Sequence, residues 1–317
     1  MVSIKHCRNY NQHYLCKTTM AALTMKFWQM LSFNDPREMT ALAQGAEAAG
    51  FDGVLLSEHL FVPENYENAY PYTEDGKPTF THETLFPDPW VCFASMAAVT
   101  SHLRFCTMVQ ILPLHHPLEI AKTLATLSLL TNNRVILGTG AGWMKEEFDV
   151  MGADFSTRGK RYDEAIDIMR KLWQGGFADY RGEIFDLPSM CQSPAPEQEV
   201  PIFIGGTGKA ALRRAATRGN GWIGQGNTAA EVEAMLFTIQ ELRKEVGREH
   251  EPFETIVPLV EQVDGTAMAK LIDLGLDGVV SYPFNFMLGP DASLQQKLDM
   301  MKTYGEKVIA PARRGRN

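Results

Sequence analysis

A histidine behind an apolar run is the first residue of this sequence that could do chemistry. His59 follows the segment "GVLLSE", and a histidine at the end of a buried strand could move a proton, because it titrates near neutral pH. Its neighbour Glu58 could orient the imidazole or form a salt bridge at the rim of the fold. Spacing alone favours a hydrogen-bonded packing role for His59 over a catalytic one.

Two glycine-rich segments follow later apolar runs. In "VILGTGAGW" the glycines at 138, 140 and 142 would let the backbone approach a flat or charged group. In "IFIGGTGKAA" the start of a predicted helix offers free N–H groups for a phosphate, with a hydroxyl from Thr207 and charge from Lys209. A tight turn without any ligand explains the second segment equally well, and the Walker A spacing is absent.

The candidate site is poor in metal ligands and rich in aromatic residues. A barrel hydrolase needs several converging histidines and aspartates, so the shortage predicts an organic cofactor and no metal. The segment 63–90 is rich in tyrosine, proline and turn residues, which predicts a lid over a hydrophobic substrate or an interface patch. The substrate-binding candidates are Tyr70, Phe80, Trp90, Trp143 and Tyr282.

Strands that alternate with helices must position these residues. The first predicted strand covers Met25 to Phe33, its helix ends at Gly50, and the third strand is "LRFCTMVQILPL". Eight such alternations without a break in composition predict an α/β fold, a closed (β/α)8 TIM barrel with insertions. A doubly wound sheet is the alternative, but no G-x-G-x-x-G follows the first strand. In a barrel, the carboxyl ends of the strands would carry the site.

The predicted domain organisation is one barrel over residues 25–312. It carries the insert 63–90 and a second insert, 174–200, in which "FADYRGEIFDL" alternates like a hairpin around Arg181 and Gly182. Residues 1–24 are expected to be a poorly ordered N-terminal extension that the fold does not need, and residues 313–317 a basic tail.

Composition excludes several classes of protein. The 317 residues are 45% hydrophobic, enough for a large core, and the net charge of −8 argues against nucleic-acid binding. Five cysteines without C-x-x-C spacing argue against a disulfide framework and a structural zinc site. No apolar run approaches the roughly 18 residues of a membrane helix, and no signal peptide is evident, so we expect a cytoplasmic protein.

Four segments, in this order, resemble the bacterial luciferase-like superfamily of flavin- and deazaflavin-dependent oxidoreductases. They are "SEHLF", "LPLHHPLEIAKTLATLSLLTNNRVILGTGAGWMKEEFDVMG", "RGKRYDEAIDIMRKLW" and "PIFIGGTGKAALRRAATRGNGW". The resemblance runs from Met25 to about Trp222 and is looser beyond it. It implies a luciferase-like barrel whose cofactor is the deazaflavin coenzyme F-420 or FMN.

The resemblance also implies roles for individual residues. His59 matches the active-site histidine of several relatives, and a non-proline cis peptide behind the cofactor ring maps to Met108–Val109 or one residue away. The other cofactor contacts implied are those beside the ring, Thr139, Gly140 and Ala141, and those on the phosphate arm, Tyr162, Gly205, Gly206, Thr207 and Gly208.

Three functions follow from the resemblance. The segments are most similar to the branch assigned to F-420, which implies hydride transfer to or from a small apolar substrate, with His59 as proton donor or acceptor. The second is a two-component FMN monooxygenase that uses reduced FMN and dioxygen and is served by a separate flavin reductase, because no nicotinamide fingerprint is present. The third is a non-catalytic flavin-binding barrel. Barrels of this kind commonly form homodimers.

Overall fold

The computed structural model describes residues 25–314 of the chain. The predicted N-terminal extension, residues 1–24, and residues 315–317 of the predicted basic tail lie outside the described residues. In the part described, no helix is both long and apolar enough to cross a lipid bilayer.

Eight parallel strands close into a barrel, as predicted. The strand bounds are β1 Lys26–Met30, β2 Gly53–Leu56, β3 Arg104–Thr107, β4 Gln110–Ile111, β5 Val135–Gly140, β8 Ile202–Gly205, β9 Gly221–Ile223, β10 Glu254–Val257 and β11 Gly278–Ser281. In spatial order the barrel strands are β3, β2, β1, β11, β10, β9, β8 and β5, and β5 pairs with β3 to close the barrel. The short β4 continues the line of β3 and also pairs with β5.

The helices lie outside the barrel and follow their strands. Their bounds are α1 Met39–Ala49, α2 Pro89–Ala97, α3 Pro117–Leu130, α4 Lys145–Val150, α5 Arg158–Trp173, α6 Lys209–Arg218, α7 Ala229–Glu245, α8 Gly265–Asp273, α9 Phe284–Leu288, α10 Leu294–Tyr304 and α11 Ala310–Arg314. A π-helical stretch, Gly305–Ile309, separates the last two. Gly50 ends α1 with φ of 89°, the left-handed conformation that favours glycine, as predicted.

Two segments stand apart from the strand–helix alternation. The strands β6 (Phe177–Arg181) and β7 (Asp186–Cys191) form the predicted antiparallel hairpin outside the barrel. Residues 57–88 contain neither helix nor strand. The chain therefore adds a hairpin and one long irregular segment to the barrel.

The prediction of one continuous third strand, Leu103 to Leu114, is wrong. It is broken after Thr107 by a cis peptide bond between Met108 and Val109, the position that the resemblance implied. The Thr107 hydroxyl donates to the Gly138 carbonyl at 2.6 Å beside the break, and a 3-10 turn, Leu112–Leu114, ends the segment. A run of apolar residues predicts burial, but it does not predict where the strand pairing is interrupted.

The core has two layers, because successive strand residues point to opposite faces. One layer lies between the strands and the helices. The other fills the barrel interior and consists of Trp28, Met30, Leu55, Cys106, Ile136, Phe203, Ile223, Ile256 and Val280. The side chains of Met108 and Val109 pack against this interior layer. The barrel is therefore filled with side chains, and any ligand must bind at its mouth.

Candidate active site

A cavity of about 550 Å³ opens at the carboxyl ends of the barrel strands. Its walls include residues that follow all eight strands of the barrel, and its volume lies in the range of small-molecule sites. The predicted site residues that line it are Glu58, His59, Tyr70, Phe80, Met108, Val109, Gly140, Ala141, Trp143, Gly205, Gly206, Thr207, Gly208 and Tyr282. The structure thus brings residues from Glu58 to Tyr282, which are far apart in the sequence, to one place.

The glycine floor is the part of the cavity formed by the Val109 side chain between Gly140 and Gly205. A Cβ atom on Gly205 would lie 2.6 Å from Val109 Cγ1, and one on Gly140 would lie 2.9 Å from Val109 Cγ2. Neither position leaves room for a side chain unless Val109 moves. The glycines therefore allow a valine to pack between two strand ends, where it lines the cavity with an apolar side chain.

The amide turn, residues 206–211, contributes Gly206, Thr207, Gly208 and Ala211 to the cavity wall. Gly206 has φ of 119°, and the Trp222 indole donates to its carbonyl at 2.8 Å. The N–H groups of residues 207–211 have no acceptor among the described residues, and the first turn of α6 contains no acidic side chain. Exposed Lys209 begins this helix. Unbonded amides at a helix N-terminus beside a cation form an anion-binding arrangement.

His59 is oriented by a residue that the sequence did not predict. Its Nδ1 lies 3.1 and 3.2 Å from the two carboxylate oxygens of Glu147, in α4, and the Leu60 N–H donates to the same carboxylate at 2.8 Å. The Glu147 side chain is fully buried and that of His59 is 10% exposed. With Nδ1 donating to a carboxylate, Nε2 is the ring nitrogen left for the cavity.

Glu58 does not orient His59; of the two roles predicted for it, the structure shows the salt bridge, which it forms with His115. Its carboxylate accepts from the Gln110 amide at 2.7 Å, the Ile111 N–H at 2.8 Å and His115 Nε2 at 2.8 Å. Burial alone would lower the pKa of His115, but the hydrogen bond and the charge of Glu58 raise it above its ordinary value. Three donors occupy Glu58, which therefore holds the segment that follows Val109 and has little capacity left for a ligand.

The aromatic cover consists of Tyr70, Phe80, Phe86 and Trp143. Phe80 and Phe86 each pack on the His59 ring with centroids 5.1 Å apart, and Tyr70 meets the Trp143 ring edge-on at 5.0 Å. All four line the cavity together with His59. The segment predicted as a lid thus places its aromatic rings around the histidine.

The lid segment is attached on two sides of the barrel mouth. On one side Tyr66 stacks on Trp143 at 5.7 Å, and Lys145 forms a 3.1 Å salt bridge with Glu67. On the other side the Gln225 amide, in the loop after β9, donates to the Tyr72 hydroxyl at 2.8 Å. The segment therefore crosses the mouth rather than lying beside it.

Three predicted site residues do not line the cavity. Trp90 is buried at the start of α2, where it packs edge-on against Phe93 at 5.9 Å, so the lid ends before this residue. Tyr162 is buried and donates its hydroxyl to the Thr139 carbonyl at 2.6 Å, while Thr139 donates to the Gln110 carbonyl at 2.9 Å. The side chains of Tyr162 and Thr139 therefore hold β5 in place. We correct the assignment of Trp90 to substrate contact and those of Tyr162 and Thr139 to direct cofactor contact.

The family of the chain follows from a match over most of its length. The model of the luciferase-like monooxygenase family matches residues 16–296. The chain belongs to this family. Luciferase-like relatives include an uncharacterized protein of Mycobacterium tuberculosis, 36% identical over 288 residues, which are 90% of this chain and 99% of that protein.

Two further comparisons cover less similar proteins. The F-420-dependent glucose-6-phosphate dehydrogenase of Amycolatopsis mediterranei is 31% identical over 244 residues, 74% of this chain and 65% of that protein. The crystal structure of the monooxygenase RslO1 from Streptomyces bottropensis superposes with a TM-score of 0.70 at 19% identity, covering 90% of this chain and 99% of that one. This structural similarity supports the fold alone.

Proposed function

We propose that this luciferase-like chain is an oxidoreductase that uses coenzyme F-420 to move a hydride to or from a small, largely apolar organic substrate. The observation that carries the proposal is one cavity that joins the glycine floor, the amide turn and an oriented histidine under an aromatic cover. The dependence on F-420 in the name of the Amycolatopsis mediterranei relative supports the choice of cofactor.

The residues of the cavity fit a planar ring with a phosphate-bearing tail. At the glycine floor there is no room for Cβ atoms, and the apolar Val109 side chain lines the cavity. The unbonded amides of residues 207–211 suit a phosphate. Thr207 and Lys209, both exposed, would add a hydroxyl and a positive charge. When bound, F-420 supplies or accepts a hydride at carbon 5 of its ring.

In this proposal His59 exchanges a proton with the substrate at Nε2. Glu147 holds Nδ1, which fixes the direction of the ring, and full burial of the carboxylate keeps the pair in place. A substrate alcohol loses a proton as well as a hydride on oxidation, and a carbonyl gains both on reduction. A histidine beside the substrate can serve in either direction because imidazole acts both as a general acid and as a general base.

The aromatic cover would exclude water from the substrate. Phe80 and Phe86 pack on the faces and edges of the His59 ring, so a ligand in the cavity would meet carbon rather than solvent on that side. Water exclusion protects a hydride donor from unproductive reactions and strengthens the hydrogen bonds inside the site.

A cofactor titration of the purified protein tests the proposal. We expect F-420 to bind at micromolar concentration or tighter, followed by the change in its fluorescence, and oxidised FMN to bind more weakly. Tight binding of reduced FMN without F-420 binding, together with oxygen consumption and a hydroxylated product, would contradict it and support the two-component monooxygenase instead. Binding of either cofactor with no turnover on any substrate, unaffected by His59→Ala, would support the non-catalytic alternative.

A further inference from the structure

We infer that Tyr70 determines substrate specificity by donating a hydrogen bond to a carbonyl or hydroxyl oxygen of an uncharged, ring-shaped, apolar substrate. The inference rests on the proposed function, because it takes the aromatic end of the cavity as the substrate's end and the amide turn as the cofactor's end. Beyond the proposed function, the inference names a substrate class and the residue that recognises it.

Tyr70 lines the cavity, and its hydroxyl has no hydrogen-bond partner within residues 25–314. The Tyr72 hydroxyl, in contrast, accepts from the Gln225 amide. The Tyr70 backbone is fixed, since its N–H donates to the Gly76 carbonyl at 2.7 Å. Burial of the ring raises the pKa of Tyr70 to about 12, so the hydroxyl keeps its proton at neutral pH and can donate it.

Tyr70 and His59 pack on the same two rings. Phe80 lies 6.1 Å from Tyr70 and 5.1 Å from His59, and Trp143 lies 5.0 Å from Tyr70 and 6.2 Å from His59, centroid to centroid. The Tyr70 and His59 rings therefore lie against the same two aromatic rings in the cavity wall. A flat ring can pack on these side chains, and a carbonyl or hydroxyl oxygen on it can accept from the phenol.

The cavity wall contains no cation for a charged substrate. Among the described residues that line it there is neither lysine nor arginine, and the carboxylate of Glu58 is already occupied by three donors. A phosphate or carboxylate at the aromatic end would lose its water and meet aromatic rings without a compensating charge. We therefore expect no sugar phosphate to bind at this end, unlike the substrate in the name of the Amycolatopsis mediterranei relative.

Calorimetric titration of the F-420-loaded protein with three probes of one shape tests the inference. The probes are 1-indanone, indane and indane-1-carboxylate, which differ in having a carbonyl, no oxygen or a negative charge. For a neutral hydrogen bond we expect 1-indanone to bind about five- to tenfold more tightly than indane. We expect the carboxylate to bind more weakly than the ketone.

Two variants separate the hydroxyl of Tyr70 from general packing. In Tyr70→Phe the preference for 1-indanone over indane should disappear, while the affinity for indane stays within about twofold. Tyr66→Phe is the matched control, because Tyr66 also packs on Trp143 but does not line the cavity, and it should keep the preference.

Three results would overturn the inference. They are equal affinities for 1-indanone and indane in the wild-type protein, an unchanged preference in Tyr70→Phe, and tighter binding of the carboxylate than of the ketone. The F-420 fluorescence titration in the same samples separates the two failures. If F-420 does not bind, the proposed function fails and the inference fails with it. If F-420 binds and Tyr70→Phe keeps the preference, the inference alone fails.

Discussion

Replacing Gly205 by alanine tests the packing of the glycine floor. The added Cβ would lie 2.6 Å from Val109 Cγ1, whereas non-bonded carbon atoms pack at about 3.5–4.0 Å. Val109 must therefore move by about 1 Å or change rotamer, and overpacking of this kind costs about 1–3 kcal/mol. We expect Gly205→Ala to lower the free energy of unfolding by that amount. A displaced floor should also weaken F-420 binding about 5- to 100-fold.

Two matched variants isolate the contact. Gly208 lies three residues further on, has φ of −72°, and a Cβ there would meet no atom within 4 Å, so Gly208→Ala should change stability by less than about 0.5 kcal/mol. The Val109→Ala change removes the methyl groups that the new Cβ would meet. The double variant Gly205→Ala/Val109→Ala should therefore be more stable than the sum of the single changes, by about 1 kcal/mol or more.

Urea unfolding and F-420 fluorescence titration measure both quantities on the wild type and these four variants. A Gly205→Ala protein that is as stable as the wild type and binds F-420 equally well would refute the proposed clash. Strict additivity of Gly205→Ala and Val109→Ala would also contradict it, because the clash between these two residues is the cause proposed for the loss.

Three further predictions concern charged groups of the site. Glu147→Gln should lower the free energy of unfolding by about 1–3 kcal/mol in urea unfolding, because an amide is a weaker acceptor than the buried carboxylate it replaces. The control Glu146→Gln should cost less in the same assay, and equal losses would contradict the prediction. Because the pKa of His115 is raised in the folded state, its pairing with Glu58 stabilises the protein fully below about pH 6.5 and is lost as pH rises through the folded pKa. The stability difference between wild type and His115→Asn should therefore shrink in urea unfolding as the pH rises above about 6.5, and a constant difference would argue against the pairing. Lys209→Ala should weaken F-420 binding about two- to fivefold in dilute buffer and much less at about 1 M salt, since an exposed charge is screened. The same loss of affinity at both salt concentrations would exclude an electrostatic role for Lys209.

Local patterns in the sequence predict much of the fold. The left-handed glycine at Gly50 and the hairpin around Arg181 each depend on a few neighbouring residues, and both are present. The barrel itself follows from repeated buried strands and helices, which leave few alternatives for closing the core. The two glycine segments that meet at Val109 are placed together because the carboxyl ends of parallel strands lie on one side of the barrel.

The contacts within the site were harder to predict. Glu147 lies 88 residues from His59 and next to another glutamate, so only its burial in the folded chain distinguishes the two acids. Tyr162 lies near the start of a charged helix, a position from which side chains can reach a ligand. Its hydroxyl instead donates to a backbone carbonyl in the neighbouring strand. Trp90 differs from the other aromatic residues of its segment because it is already in a helix that faces the core. Long-range packing decides each of these cases.

A crystal structure of the protein with F-420 bound would show where the ring and the phosphate lie. We expect the ring against Val109, between Gly140 and Gly205, with the phosphate on the amides of residues 207–211 and the aromatic cover closing over the substrate side. A ring bound away from Val109, or a phosphate held anywhere other than the amide turn, would contradict this expectation.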